Sequence, residues 1–401
     1  MKLKFIFFFS LVLLSSCGSF EEEKKRLMSD TEKKDLVNMF DIEQSEAEKY
    51  KAKDVTESKK EEVVSVVLDT KKSKKNKKQK ANEAKVEAPE SIKLKEEVQT
   101  KTVLIMGPPA PKKKELLKRA KEAEKLDSEV LIEGQSDITG DSLYPEDFPK
   151  LYKDYDVVSK PIWEKFKPIF YKGEQSIIAI SYLGVIAGYI TLTSKDIVKM
   201  GDSLAYHYFA RFKSKEAYSY FYWLDDTLES FIDKEKYLPI KYSLIQREKK
   251  QNVDDLQLFD HKQSKVLTWY KRVKVGADKN EHLERYIPHY LQDSFSALQF
   301  VRGLPLKKGD KYDFPVSTRG ETWLLKTEVE GEEMISVNGQ DVSAYRLKAE
   351  THFPGVLQKS GDINFWFAKD EGKRFLKFQA KVKLGSIYGE LVEYKPGVFV
   401  K

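Results

Sequence analysis

The chain has 401 residues, 71 Lys and Arg against 64 Asp and Glu, and a formal net charge of +7. Its one cysteine, Cys17, excludes an internal disulfide and a cysteine-built zinc or iron–sulfur site. The basic excess is spread through mixed sequence without a basic, aromatic-studded stripe, which argues against a nucleic-acid partner.

The chain begins MKLKFIFFFSLVLLSSCGSF. Lys2 and Lys4 precede an apolar run over 5–14, then come Ser15, Ser16 and Cys17. That order describes a secretory signal peptide, 1–16. The run is about half the roughly 20 residues that a membrane-spanning helix needs. Leu14-Ser15-Ser16-Cys17 resembles the bacterial lipobox. The resemblance implies cleavage between Ser16 and Cys17, a diacylglyceryl thioether on the sulfur and acylation, with palmitate-type chains, of the new amino terminus. Each buried methylene contributes about 0.8 kcal/mol, so several acyl chains anchor firmly. By the same resemblance, Gly18 in place of an aspartate implies the outer membrane, facing the periplasm.

Residues 17–143 read as a lipidated N-terminus and a disordered linker rich in Lys and Glu. Between Phe40 and Tyr144 the only aromatic residue is Tyr50. Such sequence cannot bury enough surface to offset its ordering entropy. A flexible tether of roughly 130 residues spans about 60 Å. The block KKSKKNKKQK (71–80) reads as a solvated spacer or as a polyanion contact, with anionic lipid head groups or an anionic envelope polymer. Short helices are expected over 113–126 and around Leu36, Val37 and Phe40.

From 144 to 401 the pattern has period two. A hairpin is expected at 176–182 and 186–194, a strand at 204–213, and a hairpin turning at 261–265. DSFSALQFVR (293–302) favours a helix capped by Asp293 or Ser294, and SKEAYSYFYWL (214–224) a second short one. The fold class is mainly β: a large curved antiparallel sheet or open barrel with one or two short helices.

Four ordered stretches carry a resemblance over roughly 172–400. They are SYLGVIAGYITL, DDTLESFIDKEKYLPIKYSLIQRE, QDSFSALQFVRGLPLKKGDKYDFPV and GDINFWFAKDEGKRFLKFQAKVKLGSIYGELVEY. Together they resemble the bacterial domain-of-unknown-function 3108 family. One departure is Phe375-Leu376, where relatives often carry a proline. The resemblance implies the bacterial envelope and brings no catalytic residues.

Candidate chemistry is sparse. His207, His261, His282, His289 and His352 lack the helical spacing of metal hydrolases, although His282 and His289 lie near Glu284. Ser386 is not in a Gly-x-Ser-x-Gly elbow. Asp225 and Asp226, adjacent on a strand, point to opposite faces. No cofactor is implied. The crowded aromatics read either as core or as an apolar groove on the concave face, with Trp223, Trp269, Trp323 and Trp366 as candidates. The expectation is a non-catalytic, membrane-anchored envelope lipoprotein that binds a hydrophobic ligand such as a lipid or acyl chain. The alternative is a structural or interaction protein that reaches envelope partners or cell-wall polymer through its basic tether.

Overall fold

Ile, Val, Tyr and Phe at alternate positions build most of the regular structure, because such residues fit a pleated, half-buried surface. The computed structural model describes residues 35–55, 144–218, 223–351, 361–382 and 385–400. In chain order, α1 (Gln44–Lys49), β1 (Ala52–Asp54), α2 (Lys150–Lys165) and β2 (Tyr171–Lys172) come first. β3 (Gln175–Tyr182) and β4 (Val185–Ser194) form the expected hairpin. Then follow β5 (Val198–Met200), β6 (Ser203–Ser214), β7 (Asp225–Asp233), β8 (Pro239–Arg247), β9 (Asn252–Asp260), β10 (Lys265–Val273), β11 (Lys279–Tyr286) and β12 (Gln292–Asp293). α3 (Ser296–Gly303) interrupts them. The chain finishes with β13 (Lys311–Thr318), β14 (Glu321–Val337), β15 (Gln340–Thr351), β16 (Gly361–Ala368), β17 (Phe375–Lys381), β18 (Ser386–Lys395) and β19 (Val398–Phe399).

Seventeen strands make one sheet; β2 and β19 pair separately. The meander from β6 to β11 and the meander from β13 to β18 are joined through β3 and β4, where β18 pairs with β3 and β4 with β6. The pairs are antiparallel except β12 with β13. The sheet is not closed, but it curls until its ends face one another. Ser317 of β13 donates to Gln257 of β9 at 3.0 Å, and Ser230 of β7 donates to Asp293 of β12. The expected fold class therefore holds.

The inside of the curl is filled by the chain itself. Seven of the eight residues of α3 are buried. Asp293, in the turn before it, accepts the amides of Phe295 and Ser296, both at 2.8 Å, but the N-cap itself is Phe295 and not the expected Asp293 or Ser294. Phe300 packs on Trp163, Phe166 and Phe314, with ring centroids 4.1, 4.6 and 5.0 Å away. Gly303 is required by close approach: a Cβ there would lie 2.2 Å from the Phe166 ring and 2.6 Å from the Lys167 carbonyl.

Three expectations need correction. The helix α2 was not foreseen, because Pro161 and its β-branched and aromatic residues hide a 3.6 period. Asp156, Ser159 and Ile162 mark its buried face. Residues 214–224 do not form an α-helix; a 3-10 turn spans Glu216–Tyr218, and 219–222 lie outside the described residues. Most consequential is the start of the expected linker. Residues 35–55 fold onto the outer face of the sheet. A 3-10 turn at Leu36–Asn38 buries Leu36 and Val37. With Ala47 and Tyr50 they pack against Phe231, Leu256, Leu258 and Trp269. β1 adds itself to β5, and Asp35 ion-pairs at 2.9 Å with Lys241, which is itself buried. A few apolar residues at the right spacing, given a preformed sheet, overcome a composition that would not fold alone. Residues 1–34, the lysine block and the helix expected over 113–126 lie outside the described residues.

Candidate functional site

The four candidate groove tryptophans do not come together, which corrects the groove they were expected to line. Trp223 is exposed in the connection before β7. Trp269 sits on the outer face, beneath the N-terminal segment, and stacks on His282. Trp323 is half-buried at the start of β14. Trp366 lies between the cations of Arg346 and Lys377 and donates its indole N–H to Glu333. Alternation sends neighbouring strand positions to opposite faces, so four tryptophans on separate strands need not share one. The fifth, Trp163, is in the interior, against Phe300.

Two polar clusters break the apolar interior. At one end of the sheet, Arg302 of α3 donates to both carboxylate oxygens of Glu174, at 2.6 and 2.7 Å. Tyr394 donates to the same carboxylate at 2.9 Å, and the Arg302 Nε–H to the Gly372 carbonyl at 2.5 Å. Burial would lower the Arg302 pKa, but Glu174 outweighs it and holds the guanidinium above its usual range. Beside this pair, Ser176, Thr193, Phe295, Gln299 and Phe375 border a cavity of about 20 Å³. That is room for a water or two, far below the several hundred Å³ of a ligand pocket.

Toward the other end, Asp255 of β9 is buried with its Oδ1 unpartnered among the described residues. Its Oδ2 lies 3.9 Å from the half-exposed Arg319. Burial pushes its carboxyl up to about 7, against the pull of Arg319. The Gln257 side-chain oxygen accepts from Ser317 and the Gly320 amide, while its Nε2 and the Thr268 hydroxyl are unpartnered among the described residues.

One constellation has the order of a hydrolase triad. Ser264 Oγ lies 3.0 Å from His289 Nε2, and His289 Nδ1 lies 3.8 Å from Asp156 Oδ2. Ser264 ends the β9–β10 turn at φ 53°. The His–Asp distance is too long for a hydrogen bond. Asp156 also accepts the Tyr290 amide at 3.0 Å. These contacts fasten the β9–β10 turn to α2. The other histidines lie apart. His207 pairs with Glu229, His261 with the Pro239 carbonyl, and His352 is outside the described residues. Glu284 pairs with Lys265 rather than with His282 or His289. Asp225 takes a two-pronged contact from Arg211, while Asp226 accepts the Arg247 amide, as opposite faces require. Ser386 is bonded weakly to Gln379 at 3.4 Å. Cys17 and Ser16 are outside the described residues.

Sequence reading missed Glu174, Asp255 and the Ser264–His289–Asp156 line. Their partners lie up to 220 positions away, and only an arginine on the apolar face of a helix hinted at one of them.

Among known proteins, the family model described as protein of unknown function (DUF3108) matches residues 178–392, more than half of the chain. No curated protein matches it. A solved structure is similar: a β-barrel-like protein of domain of unknown function DUF1849 from Brucella abortus, 9% identical. The match covers 57% of this chain and 98% of that one, with a TM-score of 0.38.

Proposed function

The chain belongs to the DUF3108 family, and from that premise we propose a non-catalytic protein of the bacterial envelope, lipid-anchored through Cys17 in the outer membrane. Its curled sheet serves as a rigid platform for envelope partners. One observation carries the choice of platform over carrier. The concave side is occupied by α3 and the aromatic side chains around Phe300, where a carrier would keep space for an acyl chain.

Docking of 35–55 also changes the anchor. The part between Cys17 and Asp35, residues 18–34, is 17 residues long, not the whole stretch to 143. In sequence, residues 56–143, with the lysine block, separate two segments of the domain, 35–55 and 144–401, which favours a role as a partner-facing insertion over a spacer.

In-cell crosslinking is the test. Intact protein traps defined partners, and deletion of 71–114 changes which ones are recovered. An unchanged set removes the insertion from that role. Metabolic labelling with radioactive palmitate tests the anchor: label is expected on the parent chain and absent from a Cys17→Ser variant, and an unlabelled parent chain contradicts lipidation. Active-site labelling with a fluorophosphonate leaves Ser264 unmodified; a labelled Ser264 overturns the non-catalytic reading.

A further inference from the structure

One end of the sheet is apolar where turns are usually polar. Leu183 and Gly184 form the two-residue turn between β3 and β4, at φ 51° and 80°. Such turns favour Asn, Asp or Gly, because a bulky side chain at positive φ is strained. Leu183 bears that strain with 73% of its surface exposed. Val185 and Ile186 follow it, also exposed. Tyr388 joins them across the ladder: Tyr388 of β18 is opposite Ser181, and Ser181 is opposite Ile186. Adjacent strands are about 4.8 Å apart, so Tyr388 and Ile186 stand on one face about two strand spacings apart, with Leu183 at the tip beside them, while Val185 faces the other side of the same edge.

The neighbouring turns at this end continue the pattern. Lys215 donates its amide to the Ala187 carbonyl, which lays the β6–β7 connection beside β4. In that connection Trp223 is exposed, and its carbonyl accepts the amide of Lys249 from the β8–β9 turn. Val275, in the β10–β11 turn, is fully exposed. The same β8–β9 and β10–β11 turns carry exposed Lys249, Lys250 and Lys274, against the acids Glu248 and Asp278. Aliphatic tips, an indole and lysines in one rim match the layers of a bilayer interface: acyl chains, carbonyl region and anionic headgroups.

Chain length allows the contact. Asp35, held by Lys241 near the far end of β8, follows Cys17 by 18 residues. Eighteen residues extend to at most about 60 Å. From Lys241 to the rim end of β8 is only about 20 Å. An anchor at Cys17 can therefore hold this rim against its own leaflet; this step rests on the lipidation proposed above.

We infer that the rim around Leu183, Ile186 and Tyr388 is a second membrane contact, which inserts into the interface of an anionic bilayer and orients the domain on it. The test uses the full chain from residue 17 with Cys17→Ser, which carries no lipid, in flotation with vesicles of phosphatidylethanolamine and phosphatidylglycerol. The chain is expected to float with these vesicles. Leu183→Asn with Ile186→Thr is expected to lower partitioning about tenfold or more. Asparagine suits positive φ, so the fold is kept, and Tyr388→Thr on a different strand provides an independent loss. Lys249→Gln with Lys250→Gln is expected to weaken binding several-fold, and only on anionic vesicles. A parent chain that stays unbound, a rim variant that floats equally well, or a rim that instead joins two copies of the chain overturns the inference. Because the test chain is unlipidated, its failure leaves lipidation at Cys17 standing, and palmitate labelling tests that separately.

Discussion

Glu174 and Asp255 are both buried carboxylates facing the inside of one sheet, yet they are treated in opposite ways. Glu174 has a two-pronged arginine and a tyrosine hydroxyl. Asp255 has one half-exposed arginine at 3.9 Å and an oxygen unpartnered among the described residues. The difference shows where the fold spends polar groups to fix geometry. The Glu174 cluster ties α3 to the sheet and to the Gly372 carbonyl, so it fixes the plug in place. Asp255 fixes little and lowers stability as its charge develops.

The largest expected effect breaks the paired site. Arg302→Met leaves Glu174 buried without its cation and is expected to cost about 3–5 kcal/mol, read as a fall in denaturation midpoint. Adding Glu174→Leu should recover much of that loss, since the remaining charge is then gone. A double variant as unstable as the sum of the singles would show that the two groups act independently.

The weakly paired site should respond with the opposite sign. The Asp255 carboxyl titrates near 7 in the folded chain and near 3.9 when unfolded. Between these values the folded state holds a proton that the unfolded state has lost, so stability falls as pH rises through the window and levels off above it. Asp255→Asn is therefore expected to stabilise the protein at pH 8, by on the order of 1–3 kcal/mol, with the gain vanishing toward pH 4. Thermal melts across that range check it, and a gain independent of pH would contradict it.

Two smaller changes sharpen the contrast. Tyr394→Phe removes one of the bonds to Glu174 and is expected to cost about 1 kcal/mol. Arg319→Ala, at a side chain with 42% exposure, should cost less than about 1 kcal/mol and push the Asp255 titration higher. Urea melts of both variants rank them. Equal effects would mean that Asp255 is better compensated than its geometry indicates.

Much of the sheet was legible because alternation and turn residues are local signals. The hairpin around Gly184, the strand at 203–214 and the helix after Asp293 follow from a few adjacent residues. What escaped depends on distant surfaces. Leu36, Val37 and Tyr50 look like linker until Phe231, Leu256 and Trp269 are set beneath them. α2 is hidden by Pro161, and its place is fixed by Trp163 and Phe166 against Phe300. The tryptophans were visible individually, but not the faces they occupy. Leu183 was visible too, although only its positive φ and exposure give it meaning.

The central claim is that the chain itself fills the inside of the curl. A native mass spectrum of the Cys17→Ser chain, purified from the envelope without detergent exchange, tests it most directly. The expected result is the mass of the polypeptide alone. A stoichiometric lipid retained with the folded chain, and lost only on unfolding, would contradict it.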